Sequence, residues 1–215
     1  KRPRRSEVAY SGGALERKSF SPPLLGAESA NIRLDLPMGP LQVRAGKEDE
    51  PLLAGSYWMQ SDEAWNETRT DRSGVTTYSL SNDGMDLALG LPAQPRLELA
   101  LSPALPLDLR IDAALLEGEL DLRGLQVQQV SLHQAMGSVR IVLPDAPLTG
   151  EINSAMGRLE LDLPEGASVR IRYDGLPVLI LPDGYVRQGN ILRAGNGAPQ
   201  IDLTISQAIG ILVIR

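Results

Sequence analysis

Cysteine is absent from all 215 residues, and histidine occurs once, at His133. Without thiols there are no disulfides and no zinc–thiolate sites, and the redox compartment is left open. One imidazole gives a His-based metal site or a Ser-His-Asp triad little to build on, so no metal, cofactor or catalytic residue is expected. Aromatics are scarce too: one Phe, five Tyr and two Trp. No apolar run reaches the roughly 18 residues of a membrane span, so membrane association is expected only through a segment absent from this chain. Bases are the minority, with 21 Lys and Arg against 27 Asp and Glu, and the net charge of −6 argues against nucleic acid as a partner. Lys1, Arg2, Arg4 and Arg5 form a basic exception, read as a solvated terminus. The first residue is Lys, as expected of a fragment or a processed product.

What the chain has in abundance is one short pattern, a glycine followed by apolar residues two and four positions on. It recurs at Pro37-Met38-Gly39-Pro40-Leu41-Gln42-Val43, Gly118-Glu119-Leu120-Asp121-Leu122, Ala135-Met136-Gly137-Ser138-Val139-Arg140-Ile141, Ala155-Met156-Gly157-Arg158-Leu159-Glu160-Leu161 and Ala208-Ile209-Gly210-Ile211-Leu212-Val213-Ile214. Chance placement would give roughly two such matches. The spacing from Gly118 to Gly137 to Gly157, 19 and then 20 residues, is the period of stacked coils. Leu-Pro pairs at Leu36-Pro37, Leu143-Pro144, Leu163-Pro164 and Leu181-Pro182 add a second beat, since proline cannot donate to a strand ladder.

Apolar residues two apart, with no amphipathic helical period, predict an all-β chain. Residues 1–29 read as a flexible N-terminal arm, and residues 30–215 as one domain with an irregular loop region at 46–95. The predicted architecture is a single-stranded parallel β-solenoid with coils of about 19–20 residues. Inward columns would be Leu120/Leu122, Val139/Ile141, Leu159/Leu161 and Leu212/Ile214, with Val139 between Leu159 and Leu120. Gly39, Gly118, Gly137, Gly157 and Gly210 are the structural glycines, placed where a Cβ would crowd a neighbour. The outward positions Asp121, Arg140 and Glu160 alternate in sign and predict a charge ladder that fixes register. At Gly175-Leu176-Pro177 the proline falls in an inward slot, so that coil is expected to be distorted.

Few groups suggest chemistry. Asp108, Asp112, Asp121, Glu160 and Asp162 fall mostly at outward strand positions, without the facing pair across a cleft that a glycosidase needs. Asn82-Asp83-Gly84-Met85-Asp86 lacks calcium-loop spacing and reads as a turn. Asn66-Glu67-Thr68 is a glycosylation sequon by pattern only. Tyr57, Trp58 and Trp65 gather in the irregular region, either as a plug for the N-terminal end of the stack or as a surface for a sugar or protein. Tyr57 and Met59 would then face inward, with Trp58 and Trp65 exposed.

The glycine-led coils, with Gly26-Ala27-Glu28-Ser29-Ala30-Asn31-Ile32, Leu120-Asp121-Leu122-Arg123-Gly124-Leu125 and the terminal Gly210–Ile214 run, resemble the toast-rack N-terminal domain of bacterial envelope proteins. That group is related to candidate-adhesin β-solenoids and to the C-terminal domains of cell-wall-antibiotic-response proteins. The resemblance implies a parallel β-solenoid outside the cytoplasm, in the cell envelope or secreted, with no catalytic residues to carry over. The expected function is therefore a non-enzymatic extracytoplasmic envelope module, adhesin-like or an envelope-stress scaffold, with an unknown protein or cell-wall glycan as partner. The alternative is a carbohydrate-binding or carbohydrate-cleaving β-helix. The run Ala208–Ile214 and the two ends of the stack are expected to be free strand edges, open to self-association.

Overall fold

The strand-forming alternation is carried through in a computed structural model that describes residues 16–47, 51–59, 65–82, 96–198 and 200–215. Its strands are β1 (Glu16–Phe20), β2 (Ser29–Ala45), β3 (Leu53–Met59), β4 (Trp65–Arg72), β5 (Val75–Asn82), β6 (Arg96–Leu101), β7 (Pro106–Asp121), β8 (Gln126–Val142), β9 (Leu148–Asp162), β10 (Val169–Ile180), β11 (Val186–Gln188), β12 (Ile191–Ala194) and β13 (Ile201–Ile214). Among the described residues there is no helix.

Six long strands form the spine, in the order β2-β7-β8-β9-β13-β10, every neighbour parallel. Each bends in its middle. In β8, Leu132 and Gln134 are buried before the bend, Ala135 and Met136 are exposed at it, and Val139 and Ile141 are buried after it. Leu132 and Ile141 belong to one core, so the strand must fold back on itself between them. The spine thus makes two walls, a first-half wall and a second-half wall, with aliphatic side chains between. In the first wall Leu34, Ile111, Leu132, Ile152, Ile205 and Tyr173 form one buried row. In the second, Val43, Leu120, Ile141, Leu161 and Ile214 form another. Each such burial stabilises by roughly 1.5–3 kcal/mol.

Glycine makes the bend possible. Gly39, Gly137, Gly157 and Gly210 lie in one register row, with φ of 128°, 140°, 142° and 150°. A Cβ on Gly157 would fall inside van der Waals contact with the Gly137 carbonyl oxygen, and one on Gly210 would meet the Gly157 carbonyl oxygen. Backbone from one strand occupies the space a side chain would need on the next.

Gly118 is not in that row. Leu116 pairs with Gly137, and Gly118 pairs with Val139, an inward slot. Val139 therefore lies between Leu159 and Gly118, whereas Leu120 neighbours Ile141. Large and small have changed places in β7, so counting from Gly118 displaces that coil by two residues. The displacement also corrects the charge ladder: the residue opposite Arg140 is Glu119, and Asp121 stands opposite Val142.

The sheet is mixed, which corrects the expectation of a purely parallel stack. The first half of β2 pairs with parallel β5, which carries antiparallel β4. The second half pairs with parallel β6, followed by antiparallel β3 and β1. At the other end antiparallel β12 and β11 extend only the first half of β10. Strands β3, β4 and β5 thus occupy much of the stretch read as irregular. In β5 the inward positions are Thr76, Tyr78, Leu80 and Asn82, so two polar residues at the ends of the row hide the alternation. β1 lies within the expected arm, whose residues 1–15 are outside the described part, as are residues 83–86 of the expected turn and the Met59 side chain.

The chain also departs from sequential stacking. β13 inserts between β9 and β10, so Ala208–Ile214 is an interior strand rather than a free edge. In β10 a register shift between Gly175 and Leu176 brings Pro177 opposite Gly210, into the bend row and out of an inward slot. Leu143, Leu163 and Leu181 each directly follow a strand end, while Leu36-Pro37 falls inside β2, just before its bend.

Gly157→Ala is expected to lower the melting temperature by about 5–10 °C, from φ strain of about 1–3 kcal/mol plus the clash. Gly166→Ala, also at positive φ but with open space at its Cβ, should lower it by less. Thermal unfolding of the two variants by circular dichroism checks the difference.

Candidate functional site

Parallel strands in register turn single residues into rows about 4.8 Å apart per step. On the outside of the first wall three polar rows result. Asn31, Asp108, Gln129, Thr149, Asp202 and Arg170 form the first, and Arg33, Arg110, Ser131, Glu151, Thr204 and Arg172 the second. The third, nearest the bend, is Asp35, Asp112, His133, Asn153, Ser206 and Asp174.

A shallow groove of about 790 Å³ runs along this third row, across the strands. Pro37, Ala114, Ala135, Ala155 and Ala208 give it a low floor, and their small side chains are what open it. On its far side the bend carries Met38, Leu115, Met136, Met156, Ile209 and Leu176, again one per strand. The groove is thus a polar rail and an aliphatic ridge with a small-residue floor between. Beneath it Gln134 and Ser154 are buried, and the Gln134 amide donates to the Ser154 hydroxyl at 3.1 Å. The floor and ridge are the two positions before each glycine in the repeated pattern, whereas the polar rail, four positions before it, lies outside that pattern.

His133 lies in the polar rail. Its Nε2 is 2.9 Å from the Ser131 hydroxyl, and its Nδ1 is 3.3 Å from the Asn153 amide nitrogen. That amide also donates to Glu151 at 2.7 Å, so the groups that hydrogen-bond the imidazole are neutral. Among the described residues no group of three or more His, Asp or Glu is placed to hold a metal.

Several of the charged residues on the outside are paired with one another. Arg140 donates through Nε to Asp162 at 2.9 Å and approaches Glu119 at 3.7 Å. Asp121 is bound instead by Arg123, at 2.8 Å through Nε, and that guanidinium holds its carboxyl below the usual range. Glu160 accepts from Arg158 and forms an ion pair with Arg215 at 3.1 Å. Across strands, Arg170 donates to Asp202 at 2.9 Å and lowers its pKa likewise. Asp121, Arg140 and Glu160 therefore lie on one face but engage other partners rather than one another. The missed partners, Asp162, Arg123 and Arg215, sit at turns or strand ends, where alternation gives no facing rule.

The aromatic cluster divides. Tyr57 is buried and stacks on Trp65 with centroids 5.0 Å apart, while Phe20 lies 5.7 Å from Tyr57 and 6.3 Å from Tyr78. Tyr78 donates its hydroxyl to Glu67 at 2.9 Å; burial and that bond push its pKa up. These four rings fill the interior at the β3, β4 and β5 end. Trp58 faces out, but Arg17 and Arg96 cover its ring at 5.2 and 5.3 Å. Neither tryptophan offers a bare face to a sugar ring.

Comparison with known proteins gives two results. The sequence profile of the N-terminal domain of toast_rack (DUF2154) matches residues 11–162. Among solved structures, a candidate cell adhesion protein from Clostridium sporogenes superposes with a TM-score of 0.85 at 17% identity, over 93% of this chain and 98% of that one. A candidate adhesin from Bacteroides fragilis aligns over 94% of this chain and 97% of that one, at 10% identity and a TM-score of 0.29. No curated protein matches the sequence.

The depressed carboxyl pKa of Asp202 carries a pH signature. Its contribution is present above the ordinary carboxylate pKa of about 3.9 and is lost as pH falls through the lower folded value. Asp202→Asn should therefore be less stable than the parent at neutral pH, with the gap closing below about pH 4. Denaturant titrations across that range provide the measurement.

Proposed function

Because the chain belongs to the family of the N-terminal domain of toast_rack, matched over residues 11–162, we propose that it is a non-enzymatic extracytoplasmic module of a bacterial envelope protein, adhesin-like or a structural scaffold. Its parallel spine is read as a β-solenoid, with the antiparallel strands β1, β3, β4, β11 and β12 as end caps. The observation that carries the reading is the register itself. Six strands in continuous parallel pairing present unbroken outer rows, and the acids there that accept arginine hydrogen bonds are structural partners rather than free reagents. Such a surface suits recognition of an extended partner better than turnover of a small one.

A second reading, binding of a cell-wall glycan, is favoured by the groove beside Asp112, His133, Asn153 and Ser206. Its polar rail can accept and donate hydrogen bonds to hydroxyls, and the aliphatic ridge can lie against the apolar face of a sugar. The aromatic residues Tyr57 and Trp65 support the core instead, so this reading rests on the groove.

Protease treatment of spheroplasts or protoplasts, after separate collection of the released envelope fraction, is expected to find the native protein in that fraction or digested. Full protection inside the cytoplasmic membrane would overturn the extracytoplasmic placement. On a wall-glycan array, binding is expected to be lost in His133→Ala/Asn153→Ala and retained in Trp58→Ala if the groove reads sugar. No binding by the parent chain removes that second reading and leaves the scaffold role.

A further inference from the structure

Among the described residues the sheet has four free edges, and three are guarded. β1 carries Glu16, Arg17 and Lys18; β4 carries Glu67, Arg69, Asp71 and Arg72; β11 is three residues long and includes Arg187. Charge and shortness are the usual means of preventing strands from pairing with other chains. The fourth edge is the second half of β10, which pairs only with β13 because β12 stops at the Val169–Arg172 half. It reads Leu176-Pro177-Val178-Leu179-Ile180, continues as Leu181-Pro182, and holds no charge.

The face beside this edge is equally unusual. Outward positions of the second wall are Gln42 and Arg44 in β2, Glu117 and Glu119 in β7, Ser138 and Arg140 in β8, and Arg158 and Glu160 in β9. In β13 and β10 they become Ile211 and Val213, and Val178 and Ile180, with Ile209 and Leu176 beside them in the aliphatic ridge at the bend. Leu176 is 81% exposed, Val178 62%, Ile180 47% and Ile209 60%.

We propose that this edge pairs with the same edge of a second copy, antiparallel about a two-fold axis, extending the second wall from one molecule into the next. Charge selects the occupant. The chain carries −6 overall, but two uncharged edges meet without repulsion, whereas β1 or β4 of a second copy would strand its charges against aliphatic side chains. A two-fold pairing also closes on itself, so it stops at a dimer. Pro177 and Pro182, lacking N–H groups, confine the ladder to Val178–Leu181 and set its length. A ladder of four residues flanked by four exposed aliphatic side chains is a small contact beside the about 800 Å² per partner of a stable complex. The dimer is therefore weak and concentration-dependent.

Sedimentation velocity over a wide concentration range is expected to show a monomer–dimer equilibrium for the parent chain. Val178→Lys, a charge at a position already exposed, should raise the dimer dissociation constant at least about tenfold; Lys18→Ala, at the guarded β1 edge, should leave it unchanged. Hydrogen exchange on the parent chain supplies a reading independent of any variant: amides of Val178–Leu181 should exchange more slowly at high concentration. A parent chain that stays monomeric, a dimer unaffected by Val178→Lys, or exchange at Val178–Leu181 indifferent to concentration would each overturn the proposal.

Discussion

The fold depends on how closely the backbones approach one another at the bend. Where β8, β9 and β13 turn from one wall to the other, a backbone carbonyl of the neighbouring strand occupies the volume of a Cβ, and glycine is the residue that fits. The glycine row at 39, 137, 157 and 210 therefore does two things at once. It allows the positive φ that redirects each strand, and it fixes the strands at one axial offset, because a slip would bring a side chain against a carbonyl. Register then determines the inner aliphatic rows, the outer polar rows and the groove along the bend.

β7 tests that account. It places Leu116 in the bend row and Gly118 in the next inward slot, and a Cβ on Gly118 would still meet the Leu41 carbonyl. The requirement for a missing Cβ persists, moved two positions along. Gly150 adds an inward case, between the Val130 and Leu203 side chains. Glycine here records crowding wherever it occurs, and its sequence position alone does not say whether the crowding comes from a bend or from the core.

That ambiguity explains how much of the fold was legible. Alternation of apolar residues and the repeated Ala-Met-Gly and Leu-Pro elements are local, and they were enough for the β class, for the pairing of Val139 with Leu159 and for the row of Gly137 and Gly157. Pairing partners are not local. Nothing in Ala208–Ile214 states that it lies inside β9 and β10, and Thr76 and Asn82, though buried, read as loop residues. The polar rail was illegible for a different reason: its members share no residue type, only a distance from the bend. The aromatic trio was divided by pattern only in part: Tyr57 is buried and Trp58 faces out as alternation predicts, but Trp65, expected to be exposed, stacks on Tyr57. That stacking and the coverage of Trp58 by Arg17 and Arg96 are tertiary contacts.

The interior position of β13 dictates an order of assembly. β9 and β10 follow one another along the chain, yet each meets across the 14 residues of Ile201–Ile214. As the polypeptide emerges from the ribosome or a translocation pore, β10 has no long parallel neighbour until that segment arrives, and the β9 edge stays open for just as long. Folding is then slow to close, as long-range parallel pairing generally is. β13 serves as a latch, and a nascent chain stalled before it would leave the facing edges of β9 and β10 open to whatever chaperone is nearest.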